Sequence, residues 1–95
     1  MVTAVVLVHC EIDEIPEAAT AIADIDGVTE VYSVAGEVDL VAIVRVREHD
    51  DLAQVIPQGI ARVQGVERTE TLIAFQVYSK HDLDRLFSIG FEEGT

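Results

Sequence analysis

The sequence predicts a small α+β fold in which strands and helices follow one another in the order β-α-β-β-α-β. Four short segments are rich in β-branched and aliphatic residues, and two segments between them place apolar residues at helical spacing. Both helical segments end in a glycine that precedes a new strand, as Asp26-Gly27-Val28 and as Gln64-Gly65-Val66. This repeated unit predicts the ferredoxin-like arrangement, an antiparallel sheet with two helices on one face.

The first strand and the first helix occupy the N-terminal part of the chain. Residues Thr3 to Cys10 are mostly aliphatic, which is typical of a strand covered on both faces. Asp13 predicts a helix N-cap, and Pro16 suits a first helical turn because proline lacks only an N–H that is unpaired there. We therefore expect a helix from about Glu14 to Ile25, ended by Gly27.

A hairpin follows the first helix. Val28 to Ala35 is predicted as the second strand and Leu40 to Arg47 as the third, and the short loop 36–39 joins them. A connection this short predicts antiparallel pairing.

The second half repeats the helix and strand. A helical pattern runs from His49 to Gly65, but Pro57 in its middle removes a backbone hydrogen bond, so we expect a kink or two short helices. Val66 to Tyr78 is predicted as a long fourth strand, and Asp82 to Ile89 as a short C-terminal helix. Residues 1–79 would form the domain, and residues 80–95 its C-terminal helix and tail.

Composition limits the possible functions. The chain has 95 residues, which suit one domain, and a formal charge of −12 with 49% apolar residues, which is acidic but too apolar for disorder. Such acidity argues against direct nucleic-acid binding, which needs Lys and Arg at the phosphates. Cys10 is the single cysteine, and the sequence has neither a long apolar segment nor a basic signal region. We expect a cytoplasmic protein without membrane contact.

The second face of the sheet is predicted to be apolar. The third strand alternates between two sets, Leu40, Ala42, Val44 and Val46 on one face and Val41, Ile43, Arg45 and Arg47 on the other. Because the helices cover one face, the other would be an association surface. We predict a face-to-face dimer that closes the sheets into a barrel, with further assembly; the alternative is that the terminal helix folds back over this face.

Few residues have the spacing of a catalytic or metal site. His9 and Cys10 are strand neighbours and point to opposite faces, so they are not a nucleophile–base pair. The three histidines form no HxxxH or HxH motif, so no metal site is predicted. No cofactor and no catalytic residue is predicted either.

The loop Gly36-Glu37-Val38-Asp39 is the strongest candidate for ligand binding. Glycine lets a ligand approach the backbone, turn N–H groups can hold a carboxylate, and a nearby Asp can hold an ammonium group. A plain hairpin turn is the simpler interpretation. Thr69 and Thr71 share one face of the fourth strand and would present two hydroxyls, although Thr also favours strands in general.

The hairpin Val34-Ala-Gly36-Glu-Val-Asp39-Leu-Val and the later segment Gly65-Val-Glu-Arg-Thr69-Glu-Thr71 together resemble the effector (RAM) domain of the Lrp/AsnC regulators. The resemblance implies a ferredoxin-like domain that dimerises through its sheet, stacks dimers into rings and binds small effectors, typically amino acids, between dimers. Because the chain begins at the first strand, it resembles a stand-alone form without the helix-turn-helix, and Val38 replaces the usual aromatic residue. The effector-binding residues implied are Ala35, Gly36, Glu37, Val38, Asp39, Thr69 and Thr71.

We therefore expect a non-enzymatic regulatory module that binds a small-molecule effector, typically an amino acid, and acts by ligand-linked oligomerisation or by association with a full-length regulator. The first alternative is a small dimeric ferredoxin-like barrel enzyme, of monooxygenase or isomerase type, for which His9, Tyr32 and Tyr78 are the candidate polar groups. The second is an assembly module without a ligand.

Overall fold

Four strands form an antiparallel sheet in the computed structural model, which describes residues 1–80. They are β1 (Val2–Cys10), β2 (Val28–Ser33), β3 (Leu40–Val46) and β4 (Val66–Ile73). The strand order is β2-β3-β1-β4, and all three pairings are antiparallel. The predicted ferredoxin-like α+β fold and the β2–β3 hairpin are confirmed.

The first helix is shorter than predicted. A 3-10 turn, Ile12–Glu14, leads into α1 (Ile15–Ala23), and Pro16 lies in the first turn of α1 as expected. The predicted N-cap at Asp13 is wrong, because this residue lies inside the 3-10 turn and its side chain caps nothing. The chain leaves the helix early and turns through Gly27, whose φ of 99° is a left-handed value that favours glycine.

The second helical segment is broken, as Pro57 predicts. A 3-10 turn, His49–Asp51, continues into the single-turn helix α2 (Leu52–Val55), and a further 3-10 turn follows at Ile60–Arg62. The proline has no N–H to continue the helical hydrogen bonds, so the chain re-forms a tighter turn beyond it. Among residues 1–80, no helix is long and apolar enough to cross a membrane.

The core lies between the helices and one face of the sheet. Alternate residues of the two central strands are buried on this face, which is the period expected of strands. Together with residues from the helical segments they form the core: Ala4, Val6, Val8, Cys10, Ala18, Ile22, Leu40, Ala42, Val44, Val46, Leu52, Val55, Ile56 and Ile60. Burying each larger aliphatic side chain contributes about 1.5–3 kcal/mol, so this face holds the fold together.

The fourth strand ends five residues earlier than predicted. Ile73, the last residue of β4, lies opposite Ala4, and the N–H of Ala74 donates to the carbonyl of Thr3 at 2.9 Å. Residues 75–78, here called the arm, continue beyond the sheet. Phe75 is 99% exposed and Tyr78 is 78% exposed. The predicted helix at 82–89 and nearly all of the predicted tail at 80–95 lie outside the described residues.

The sheet face opposite the helices, here called the open face, is apolar at its centre and charged at its ends. Ile43, Val5 and Leu72 lie in one row across β3, β1 and β4. Arg45 lies opposite Thr3 at one end, and Arg68 lies opposite His9 at the other. The central apolar row confirms the sequence prediction that this face is apolar as well.

Candidate functional site

A cleft of about 470 Å³ opens near the place where β1 ends and β4 begins. Three elements contribute to it, the end of β1, the β2–β3 hairpin and the start of β4. Its lining residues are Leu7, His9, Glu37, Val38, Arg68, Thr69 and Glu70. The cleft therefore combines charged groups of both signs with two aliphatic side chains, which is the composition expected of a site for a small polar molecule.

Asp39 fixes the hairpin to the end of β1. Its backbone N–H donates to the carbonyl of Val8 at 3.0 Å, and its Oδ2 accepts from the N–H of Cys10 at 2.8 Å. The N–H of Val34 donates to the carbonyl of Asp39 at 3.1 Å, which closes the hairpin itself. These contacts continue the β1–β3 pairing beyond Leu40 and hold the loop beside the cleft.

Cys10 lies on the other side of the sheet from His9. Its side chain is buried in the core, while His9 lies half-buried on the open face. Burial raises the pKa of the Cys10 thiol, and the nearby carboxylates of Asp39 and Glu67 raise it further. A thiol in such surroundings stays protonated at neutral pH and is a poor nucleophile.

The side chains of His9 and Arg68 meet inside the cleft. Nη2 of Arg68 lies 3.0 Å from Nε2 of His9. A guanidinium donates hydrogen bonds and accepts none, so Nε2 of His9 is the acceptor in this contact. Within residues 1–80 this is the one polar contact of the Arg68 side chain.

Two carboxylates face the same cleft. Glu70 lies two residues beyond Arg68 on the same side of β4, opposite Leu7 of β1, and Glu37 comes from the hairpin. Neither carboxylate has a hydrogen-bond or ion-pair partner among residues 1–80. The cleft thus offers an unneutralised cation and two unpaired anions to a ligand.

The predicted effector-binding residues separate into three groups. Glu37, Val38 and Thr69 line the cleft. Ala35 and Gly36 are exposed in the hairpin, and the φ of Gly36 is 148°, a value that favours glycine.

The remaining two predicted residues are placed differently. Asp39 uses Oδ2 to anchor the hairpin. Thr71 lies opposite Val6, and Thr69 opposite Val8, so both side chains belong to the helix side of the sheet, where paired residues share a face. Thr71 is exposed there and is not among the lining residues of the cleft.

Sequence reasoning missed four lining residues as ligand-binding candidates. Leu7, His9, Arg68 and Glu70 all lie on the open face. Alternation along β4 puts Arg68 and Glu70 on the face opposite Thr69, so the pattern contained a signal. The pairing of Arg68 with His9 depends on the β1–β4 register, which shifts between His9 and Cys10 and has no sequence signature.

The three polar residues of the enzyme alternative are spread over the molecule. The hydroxyl of Tyr32 on β2 donates to Oε2 of Glu30 at 2.8 Å, and this hydrogen bond raises the pKa of Tyr32. Tyr78 lies on the exposed arm, and His9 lies in the cleft. Among residues 1–80, no group of three His, Cys, Asp or Glu side chains is arranged to hold a metal ion.

A larger and shallower depression, of about 690 Å³, lies against α1. Among its described lining residues only Glu17 and Asp24 are charged, and both are acidic. A depression with this lining offers no cation to a carboxylate, so the cleft beside the hairpin is the better candidate for an amino-acid site.

Comparison with protein families matches residues 3–83 to the Lrp/AsnC ligand binding domain. An uncharacterized HTH-type transcriptional regulator of Pyrococcus horikoshii is 37% identical over 59 residues, which cover 62% of this chain and 39% of that regulator. The chain therefore spans well under half the length of this relative.

Two solved structures show the same fold. A protein of Thermus thermophilus has a TM-score of 0.79 and 46% sequence identity, over 84% of this chain and 100% of that one. The feast or famine regulatory protein of M. tuberculosis, complexed with L-methionine, has a TM-score of 0.67 and 28% identity, over 84% of this chain and 54% of that one.

Proposed function

Because the chain belongs to the Lrp/AsnC ligand-binding domain family, we propose that it is a regulatory module that binds an amino acid in the cleft beside the β2–β3 hairpin. The observation that carries the proposal is the lining of this cleft. An α-amino acid has a negative and a positive group on one carbon, and the cleft offers Arg68 to the first and Glu37 and Glu70 to the second. Leu7 and Val38 supply apolar contact for a side chain.

The relatives support the same function. Matched proteins are named as transcriptional regulators, which are regulatory rather than catalytic, and the M. tuberculosis relative is complexed with L-methionine. We therefore propose an effector role without catalysis for this chain. As a cytoplasmic module it would act through its own assembly or through a full-length regulator of the same family.

A screen of the twenty L-amino acids tests the proposed function. Calorimetry at millimolar ligand should give at least one saturable binding curve, and the same ligand should raise the unfolding temperature because it binds the folded state alone. Because the folded hairpin, anchored by Asp39, forms one wall of the cleft, the unfolded chain should not bind the ligand. Failure of all twenty to bind would leave the assembly module as the better interpretation.

The proposed assembly is a second copy of the chain on the open face. The central row Ile43, Val5 and Leu72 is apolar, and the arm adds exposed Phe75 and Tyr78. Exposed apolar surface of this extent is typical of association sites. A second copy would bury the central apolar row and the arm, and an effector that favours one assembly would shift the equilibrium toward it.

A matched pair of variants tests the assembly. Ile43→Glu introduces a charge into the centre of the open face, whereas Ile12→Glu makes the same change at a residue that is 81% exposed beside α1. Sedimentation should show an oligomer for the wild type and for Ile12→Glu, and a 10.4 kDa monomer for Ile43→Glu. A wild type that sediments as a monomer at micromolar concentration would contradict the proposal.

A further inference from the structure

We propose that Arg68, oriented by His9, holds the carboxylate of the effector, and that Glu37 and Glu70 hold its ammonium group. This inference rests on the proposed amino-acid-binding function. It adds a requirement that the function alone does not contain: the ligand must present a free carboxylate to one guanidinium, and neighbouring His9 must keep that guanidinium in place.

The guanidinium of Arg68 is available to a ligand. A guanidinium has five N–H donors, and within residues 1–80 the one polar contact of the Arg68 side chain is with the imidazole of His9. The chain carries a net charge of −12, so acidic partners are abundant, and yet this cation is not ion-paired with any described residue. A free guanidinium is suited to bidentate carboxylate binding.

His9 restricts the orientation of the Arg68 side chain. Arg68 is exposed and lies on an edge strand, so its long side chain would otherwise populate many rotamers. His9 lies half-buried on the central strand β1, directly opposite Arg68. Its Nε2 accepts from Nη2 and restricts the guanidinium before the ligand arrives, which lowers the entropy lost on binding. His9 is thus a positioning residue.

Side chains of opposite charge are spaced along β4. Arg68 and Glu70 point to the same side two residues apart, about 7 Å along the strand. Both side chains are flexible enough to converge on one small molecule from that spacing. Glu37 adds a second carboxylate from the hairpin. A ligand that spans these groups needs both of its charges near one carbon.

The experiment compares each amino acid that binds with its own α-carboxamide, which keeps the ammonium group and the side chain but loses the negative charge. Calorimetry is performed on the wild type, Arg68→Gln, His9→Ala and His9→Gln. The control is Arg62→Gln, which removes the same charge from a 3-10 turn that does not line the cleft. Unfolding temperatures confirm that every variant is folded.

The expected result is an acid that binds at least about tenfold more tightly than its amide in the wild type and in Arg62→Gln, the usual scale of a charge-assisted contact. Arg68→Gln should weaken the acid by a similar factor and leave the amide unchanged. His9→Ala should weaken the acid several-fold, and His9→Gln should restore it, because the Gln carbonyl can accept from Nη2 in place of Nε2.

Two outcomes overturn the inference while the proposed function survives. One is an amide that binds as tightly as its acid; the other is an Arg68→Gln variant that binds the acid as Arg62→Gln does. If His9→Ala equals the wild type, the positioning role is refuted. If no amino acid binds the wild type, the proposed function fails and this inference fails with it.

Discussion

The hydrogen bond between Asp39 and Cys10 gives the sharpest stability prediction. Replacing Asp39 with Ala removes the Oδ2 that accepts from the N–H of Cys10 at 2.8 Å, in a part-buried contact. A hydrogen bond to a charged group contributes about 1.5–3 kcal/mol, and its loss also leaves a backbone donor unpaired. We expect the free energy of unfolding to fall by ~2 kcal/mol, which for a domain of this size lowers Tm by about 8–16 °C.

The assay is thermal unfolding followed by circular dichroism, at one fixed protomer concentration because assembly also affects Tm. Asp39→Asn keeps an oxygen acceptor without the charge, so it should lose about half as much stability. Glu37→Ala is the matched control, since it removes an equal charge from the same hairpin and breaks no hydrogen bond within residues 1–80. If Asp39→Ala unfolds at the same temperature as Glu37→Ala, the anchoring argument is refuted.

Two further stability measurements follow from the backbone and from the buried thiol. Gly65→Ala should lower the free energy of unfolding by more than ~1 kcal/mol, since φ is +96° and the new Cβ would lie 2.5 Å from Cβ of Glu14. Gly36→Ala, at φ +148° with no atom within 4 Å of the new Cβ, should lose less stability in chemical denaturation. Equal losses for the two variants would contradict the packing argument. The pKa of Cys10 is raised in the folded state, so the stability that the thiol contributes is present below its ordinary value of 9.0 and is lost as pH rises through the folded value. Between pH 8 and 10 the melting temperature should therefore fall less steeply with pH for Cys10→Ala than for the wild type. Equal slopes for the two proteins would contradict the predicted linkage.

Much of the fold could be predicted because it depends on local signals. Runs of β-branched and aliphatic residues identified β1 and β3, and glycines with positive φ mark the ends of both helical segments at Gly27 and Gly65. The break at Pro57 was also predictable from the missing N–H. The end of β4 was not, since it depends on where the pairing with β1 stops. The apolar residues Phe75 and Val77 favour a strand, but the last residue of β4 that pairs with β1 is Ile73, opposite Ala4.

The candidate site was only partly predictable, and the reason is register. The hairpin residues Glu37 and Val38 follow one another in sequence, so a loop motif was enough to select them. Arg68 and His9 are 59 residues apart and meet through the pairing of two strands. A one-residue slip would put Arg68 on the other face, and the bulge next to His9 is a slip of this kind. Contacts of this kind can be identified only when the strand pairing is known.

The strand β4 physically links the proposed effector site to the proposed association surface. None of its residues is buried, so its attachment to the domain depends largely on the hydrogen-bonded ladder with β1. Strands of this kind are among the first parts of a domain to open locally, on a scale seen by amide hydrogen exchange. The cleft lies at the Val66 end of β4, and the arm continues from the Ile73 end. A molecule bound at Arg68 would slow the opening of the whole strand, and protection from exchange would extend about 25 Å to the base of the arm without any change in average structure.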